Sequence, residues 1–427
     1  MSTRFLRDLP GRHAAGDPVG ITSVCSAHPL VIEAALRQGL DEDGPVLIEA
    51  TCNQVNQEGG YTGMTPVDFR KFVTGIADRI GFDAARLILG GDHLGPNPWK
   101  HLPPELALGR AEAMVDAYVK AGFTKIHLDT SMGCADESEA LPDEMTATRA
   151  ARLAKVSEAA AAGADFDAPV YIVGTEVPIP GGATEALDHL EVTHRDAAVK
   201  TVDVHRQAFH DLGLEGAFER AIGVVVQPGV EFGNENVAVY QRDKARELST
   251  ALKEIPQFVF EAHSTDYQPP EALARLVEDG FAILKVGPGV TFALREAFYG
   301  LDHIAAVLEP IPEDQTLRGT MERLMLRDPK HWGKYYHGGV DELRVQRHFS
   351  YSDRIRYYWP HAEAAAAVDA LFARLDGRVI PETLVSQYLG TLYPAVAAGR
   401  VAASAPKLAV AAVRRVLSVY GAAARPV

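Results

Sequence analysis

Eight short apolar runs, each stopping on polar residues, recur through the first 290 residues of this 427-residue chain. They are Gly20–Cys25, Val46–Thr51, Arg86–Gly91, Thr124–Asp129, Val170–Glu176, Ile222–Gln227, Gln257–His263 and Phe281–Val286. Amphipathic segments separate them, among them His28–Gln38, Pro66–Ile80 with Thr65 as N-cap, and Leu106–Ala121. Short apolar runs alternating with helical periodicity read as repeated βα units on a parallel sheet. Eight such units predict a (β/α)8 TIM barrel in the α/β class, here over residues 1–300. Residues 301–427 change to mostly helical periodicity, with helices predicted over Ala362–Leu375, Glu382–Ala397 and Lys407–Ala424, a helical extension packed on the barrel. Within it, Ser350–Pro360 is rich in aromatics and arginine, with Ser352 placed to cap a helix. That stretch reads as an oligomer interface or a barrel cover rather than a separate catalytic module, and a homo-oligomer is the expected assembly.

Hydrophobic residues make up 47% of the chain and charged residues 23%, ample for a large core and incompatible with extended disorder outside the N-terminus. The formal charge of −15 repels phosphate backbones and anionic lipid, so neither nucleic acid nor membrane is an expected partner. The chain opens without an apolar signal core and has no stretch of about 18 uninterrupted apolar residues, which reads as cytoplasmic. Cys25, Cys52 and Cys134 are three in number and lack metal-knuckle spacing, so they are expected as buried thiols in a reducing compartment.

In barrels of this type the site forms where loops leave the C-terminal ends of the strands. Those ends carry Ser26 and His28; Glu49, Thr51 and Asn53; Asp92 and His93; His127 and Asp129; Glu176; Gln227 and Glu231; Glu261 and His263; and Lys285. Period-two alternation places His127 with Asp129, and Glu261 with His263, on common faces. His93, Glu176 and His263 are the expected ligands of a divalent metal, with Asp129 in reserve as a ligand and also counted with Asp92 and Lys285 among the catalytic residues. Zinc is the foremost candidate, with manganese or cobalt as alternatives. Adjacent residues on a strand end diverge, so Asp92 is expected beside the metal as a general acid or base, its pKa raised by burial. Lys285 can bind an oxyanion or form a Schiff base, and it can equally be the ion-pair partner of Glu49 or Glu261. Ser26, Glu49, Asn53, Gln227, Glu231, Ser264 and Gly287 complete the expected substrate contacts. The glycine-rich loops Gln57–Gly63 and Gly287–Gly289 can bring backbone amides to a ligand. The Walker sequence G-x-x-x-x-G-K-[ST] does not occur, which argues against a P-loop kinase.

Longer blocks carry a resemblance. Ser23–Leu30, Ile48–Thr51, Gly59–Pro66, Gly91–Asn97, Lys125–Asp129, Gly174–Pro178, Val226–Phe232, Glu261–Gln268, Leu284–Pro288 and Ser352–Trp359 together resemble the Z-subunit family of class II tagatose-bisphosphate aldolases. The resemblance implies either a non-catalytic partner of a catalytic aldolase subunit or a ketohexose 4-epimerase. It also implies an Asp-His pair at Asp92 and His93, with the aspartate as proton donor and the histidine on zinc, and further metal ligands at His263 and Glu176. Two departures stand out. The third histidine expected after the sixth strand is replaced by Gln227–Glu235, with Gln227 or Glu231 as possible substitutes. The Gly-Gly-Ser-Gly phosphate cradle expected after the seventh strand is replaced by His263–Gln268, whose Asp266 repels a phosphate dianion. A substrate with fewer phosphates than a bisphosphate, or none, is therefore expected. This favours 4-epimerisation of a ketohexose (tagatose or fructose) over bisphosphate cleavage.

Overall fold

The computed structural model describes residues 2–175 and 190–425. Eight parallel strands close into a barrel: β1 Ile21–Cys25, β2 Val46–Thr51, β3 Leu87–Leu94, β4 Lys125–Leu128, β5 Val170–Val173, β6 Ala221–Val226, β7 Val259–Ala262 and β8 Ile283–Val286. Neighbours in the barrel are neighbours in the chain, and β8 closes on β1 with Ser23 opposite Lys285. Every strand overlaps one of the eight apolar runs.

Local chemistry explains where the helices start. Thr65 caps Pro66–Ile80 in a reciprocal capping box with Asp68. His28 is an N-cap too: its Nδ1 accepts the Leu30 amide at 3.2 Å ahead of Pro29–Asp41. The N-terminus is ordered rather than loose. Helix Ser2–Ala14 packs Leu6 and Leu9 among Ile21, Leu47, Ile88, Ile172, Val225, Val259 and Ile283, closing the barrel interior with apolar surface.

Helix Pro288–Leu308 follows β8 and runs across residue 300. The last helix, Ala405–Ala424, packs against it and against Pro29–Asp41, Pro270–Glu278 and β1, so the end of the chain fills a place in the outer helical ring. Two helical expectations in the extension need correction. Glu382–Ala397 is not continuous: it divides into Glu382–Tyr388 and Tyr393–Ala397, interrupted at Gly390 and restarted with Pro394 in the first turn. Ser352 is not a helix cap. Its hydroxyl bonds Asn234 Oδ1 at 3.1 Å, and the chain turns at Asp353 in a left-handed conformation before the short 3-10 helix Arg354–Tyr358. Asp353 accepts bonds from Thr291 Oγ1 at 2.6 Å and Arg295 Nε at 3.1 Å, which fixes this stretch to the helix after β8 as a cover over the strand tips.

Candidate active site

The strand carrying Asp92 and His93 is longer than its apolar run, and its register with β4 slips between Gly91 and Leu94. His93 sits at φ 50° inside that irregularity, a conformation a non-glycine residue adopts only when its surroundings enforce it. A bulge re-aims side chains. Here both residues face the barrel interior, with His93 Nε2 3.8 Å from Asp92 Oδ2. The expected divergence of the two does not occur, because strict alternation fails at the bulge.

Three imidazoles converge at this point. Ring centroids of His93 and His263 lie 4.8 Å apart, those of His93 and His127 5.0 Å, and those of His127 and His263 5.3 Å. One candidate ligand atom each from Asp92, His93, His127 and His263 falls within a 4.8 Å span. Asp129 Oδ2 accepts a hydrogen bond from His93 Nδ1 at 2.7 Å, leaving Nε2 of that ring for the centre. Asp129 is itself fixed by the Ser131 hydroxyl at 2.8 Å. Burial pushes the His263 pKa down to about 4, so this ring is neutral and able to ligate. His127 Nε2 is buried without a hydrogen-bond partner, an orphan that a metal bond would satisfy. Three imidazoles beside a carboxylate form a donor set that fits a divalent metal.

Beneath this cluster lies a buried charge network. Lys125 Nζ forms ion pairs with Glu49 at 2.6 Å and Glu261 at 2.7 Å, and Lys285 Nζ with Glu49 and Asp92 at 2.7 Å each. Buried charges persist only when paired, and these are paired. The arrangement needs a glycine at residue 90, where a Cβ would stand 2.7 Å from Glu49 Cγ. Burial opposes ionisation of Asp92, yet His93, Lys285 and His127 hold its carboxyl well below the ordinary range. The pKa rise expected for Asp92 is therefore reversed, and Asp92 stands among these cations and imidazoles as the carboxylate. Burial disfavours charge on Lys285 as well, but Asp92 and the nearby carboxylates hold its ammonium protonated, the wrong state for a Schiff-base nucleophile. The Cys25 thiol, pushed up by burial, stays protonated and lies 3.6 Å from Asp92 Oδ2.

A cavity of about 440 Å³ opens over this floor, and Asp92, His93, His263 and Lys285 all line it. The loop after β2 contributes Asn53, Gln54 and Tyr61 to its wall. Gly60 shapes that loop, with a left-handed φ and room for no Cβ against the Gln54 carbonyl 2.4 Å away. The extension contributes Lys330, His331, Tyr335, Arg354, Arg356 and Tyr357.

A family model described as D-tagatose-1,6-bisphosphate aldolase subunit GatZ/KbaZ-like matches residues 6–425. The chain belongs to this family. It is 56% identical over 421 residues to the D-tagatose 6-phosphate 4-epimerase of Agrobacterium fabrum, covering 99% of this chain and 98% of that protein. A crystal structure from Sinorhizobium meliloti 1021, titled a probable tagatose 6 phosphate kinase, superposes with a TM-score of 0.89 at 62% identity, over 95% of this chain and 100% of that one.

For a GatZ/KbaZ-like chain, the placement of the sequence-derived candidates is instructive. Asp92, His93, His263, Lys285, Asn53, Ser264 and Gly287 line the cavity. Asp129 stands behind His93 as its hydrogen-bond partner, which makes it a positioning residue rather than an acid or base acting on substrate. Glu49 lies in the floor between two lysines. Glu176 lies outside the described residues. Ser26 accepts the His28 amide at 3.2 Å and faces a neighbouring apolar pocket with Trp359 and Phe372. Gln227 spends its side-chain oxygen on the amides of Gly229 and Val230, at 2.8 and 3.0 Å, and so braces its own loop. Glu231 accepts the Phe232 amide at 2.9 Å and bonds Ser264. Neither Gln227 nor Glu231 belongs to the Asp92, His93, His127 and His263 cluster. The third imidazole of the cluster is that of His127, on β4. His127 and Lys125 were the residues missed as participants, although both share the inward period-two face of Asp129.

The loop after β7 behaves as its sequence implies. Asp266 Oδ1 accepts the amides of Gly287 at 2.9 Å and Gly289 at 2.7 Å. A carboxylate already occupies the backbone donors that a phosphate in this corner would need.

Proposed function

We propose that this protein is a metal-dependent ketohexose 6-phosphate 4-epimerase that interconverts tagatose 6-phosphate and fructose 6-phosphate by retro-aldol and aldol chemistry. The observation that carries the reading is the convergence of Asp92 with His93, His127 and His263 beneath the cavity, within a 4.8 Å span of candidate ligand atoms. The names of the two relatives disagree on chemistry, one an epimerase and one a kinase. Converging imidazoles beside a buried carboxylate suit carbonyl polarisation and proton transfer, and the P-loop sequence of one large kinase class is missing from this chain. The relative's substrate carries one phosphate, which fits a site whose Gly287 and Gly289 amides are taken by Asp266.

A divalent metal held by His93, His127 and His263, with Asp92 adjacent, would polarise the C2 carbonyl and stabilise the negative charge that develops across C2 and C3. Asp92 accepts the proton of the C4 hydroxyl as the C3–C4 bond breaks, its electron pair passing to the C2–C3 unit. The C4 hydroxyl becomes an aldehyde oxygen. Lys285, fixed as a cation by Glu49 and Asp92, holds positive charge beside the reacting oxygens. The aldehyde turns over its other face to C3, the bond re-forms, and Asp92 returns the proton to the C4 oxygen. No atom is gained or lost, and C4 is inverted. Asp129 holds the His93 ring throughout.

Purified protein supplied with zinc or manganese is expected to interconvert the two 6-phosphates, followed by carbon-13 NMR, and to lose activity on chelation. Asp92→Asn is expected to lower kcat by about 100-fold or more. No interconversion by metal-loaded protein would refute the epimerase reading. An Asp92→Asn form that still fully activates a partner aldolase would support the assembly role instead.

A further inference from the structure

Two arginines in the cavity wall, Arg354 and Arg356, lack a contacting carboxylate among the described residues. Arg354 is buried, its Nε bonds the His331 carbonyl, and its guanidinium lies 3.2 Å from the Tyr335 ring centroid. Arg356 donates to the Ser352 and Asp353 carbonyls and, at 3.0 Å, to the Tyr357 hydroxyl. The acids nearby are committed elsewhere: Asp353 to Arg295 and Thr291, and Asp266 to the amides of Gly287 and Gly289. A chain with 15 more acidic than basic groups nevertheless keeps this corner cationic. Its potential shows on the neighbours. Burial raises the Tyr357 phenol, but Arg356 and Arg354 outweigh it and pull the value down. Burial lowers His331 to about 4, with Lys330, Arg354 and Arg356 adding to the effect. Burying an uncompensated guanidinium is costly, and two adjacent ones are retained when an anion completes them.

We propose that Arg354 and Arg356, with Lys100 and Lys330 at the rim, form the subsite for the C6 phosphomonoester of the substrate. This deepens the epimerase reading and rests on it. Arginine forks match a phosphate dianion in a way the Asp266 corner does not. The placement also serves the chemistry. After C3–C4 scission the phosphate belongs to the aldehyde fragment, the one that must turn over without escaping. An anchor on that phosphate holds the fragment while its reacting end rotates.

The test compares metal-loaded wild type with Arg356→Gln, Arg356→Lys and Arg354→Gln. It uses steady-state kinetics on tagatose 6-phosphate and on free tagatose, a coupled assay for released glyceraldehyde 3-phosphate, and calorimetric titration with inorganic phosphate. Arg356→Gln is expected to cut the kcat/KM preference for the phosphorylated sugar at least about tenfold, the size of one lost charge-assisted hydrogen bond. Released aldehyde should rise relative to epimerised product, phosphate binding should weaken, and Arg356→Lys should recover part of each. A preference within about threefold of wild type would overturn the proposal, as would phosphate affinity equal in wild type and Arg356→Gln. If Arg354→Gln fails to fold, the half-buried Arg356 still decides the matter. Should wild type epimerise neither sugar, the epimerase reading fails by itself, and the phosphate titration alone settles the subsite.

Discussion

Asp92 shows how one side chain's role follows from its neighbours rather than its burial. Desolvation alone would raise its pKa, but His93, Lys285 at 2.7 Å, His127 and His263 together hold it as the carboxylate. Glu231 is the opposite case. Burial, against only the Phe232 amide and Ser264, pushes its carboxyl up to about 7. A carboxyl raised on folding favours the native state fully below its ordinary value near 4.5, and that contribution is lost as pH climbs through about 7. Glu231→Gln is therefore expected to match wild-type stability near pH 4.5 and to exceed it by up to about 3 kcal/mol above pH 7 in denaturant titrations. A gap that does not change with pH would contradict this. At this scale the sequence revealed the polar tips but not their pairings. Lys125, His127 and Asp129 could be placed on one face by alternation, yet only the closed barrel shows Lys125 between Glu49 and Glu261. Arg354 and Arg356 were legible as an unusual aromatic and basic stretch, without the cavity they face.

Among the elements, β3 does the most to shape the site. Its apolar run marks the strand, but the slip before Leu94 depends on what lies beside it. Gly95 is the position that permits it, since a Cβ there would stand 1.6 Å from the Asp129 carbonyl oxygen. Gly95→Ala must push β3 away from β4, separating His93 from Asp129 and His127. We expect a loss of about 2–3 kcal/mol, read as a lower Tm, together with reduced bound metal per chain. Wild-type Tm and metal content in this variant would show that the bulge does not depend on the glycine. Periodicity could foresee the cap at Thr65 and the helix Ala362–Leu375, both local matters. Gly390 and Pro394 carry the signal for the break after Tyr388, which apolar periodicity passes over, whereas the turn at Asp353 is fixed by its contacts with Thr291 and Arg295.

At the scale of the whole molecule, the barrel is completed by sequence far from it. The eight strands could be counted from the chain because each carries its own apolar run. The use of Ala405–Ala424 in the helical ring could not, because an amphipathic helix does not announce its partner. Its Tyr420 hydroxyl donates to the Thr265 carbonyl at 2.6 Å, two residues from His263, and the Gly20 amide bonds the Ala424 carbonyl at 2.7 Å. A chain ended after Ser404 would expose the buried partners of Leu408, Val413 and Leu417 and is expected to be insoluble or metal-free when expressed. Soluble, metal-loaded truncated protein would mean that the ring closes without it. The central claim is that the floor built by these elements breaks and remakes the C3–C4 bond. Running the epimerisation in deuterium oxide and reading the product by NMR tests it directly. The account predicts inverted C4 with its original hydrogen retained and activity abolished by chelation. Deuterium incorporated at C4 would contradict it.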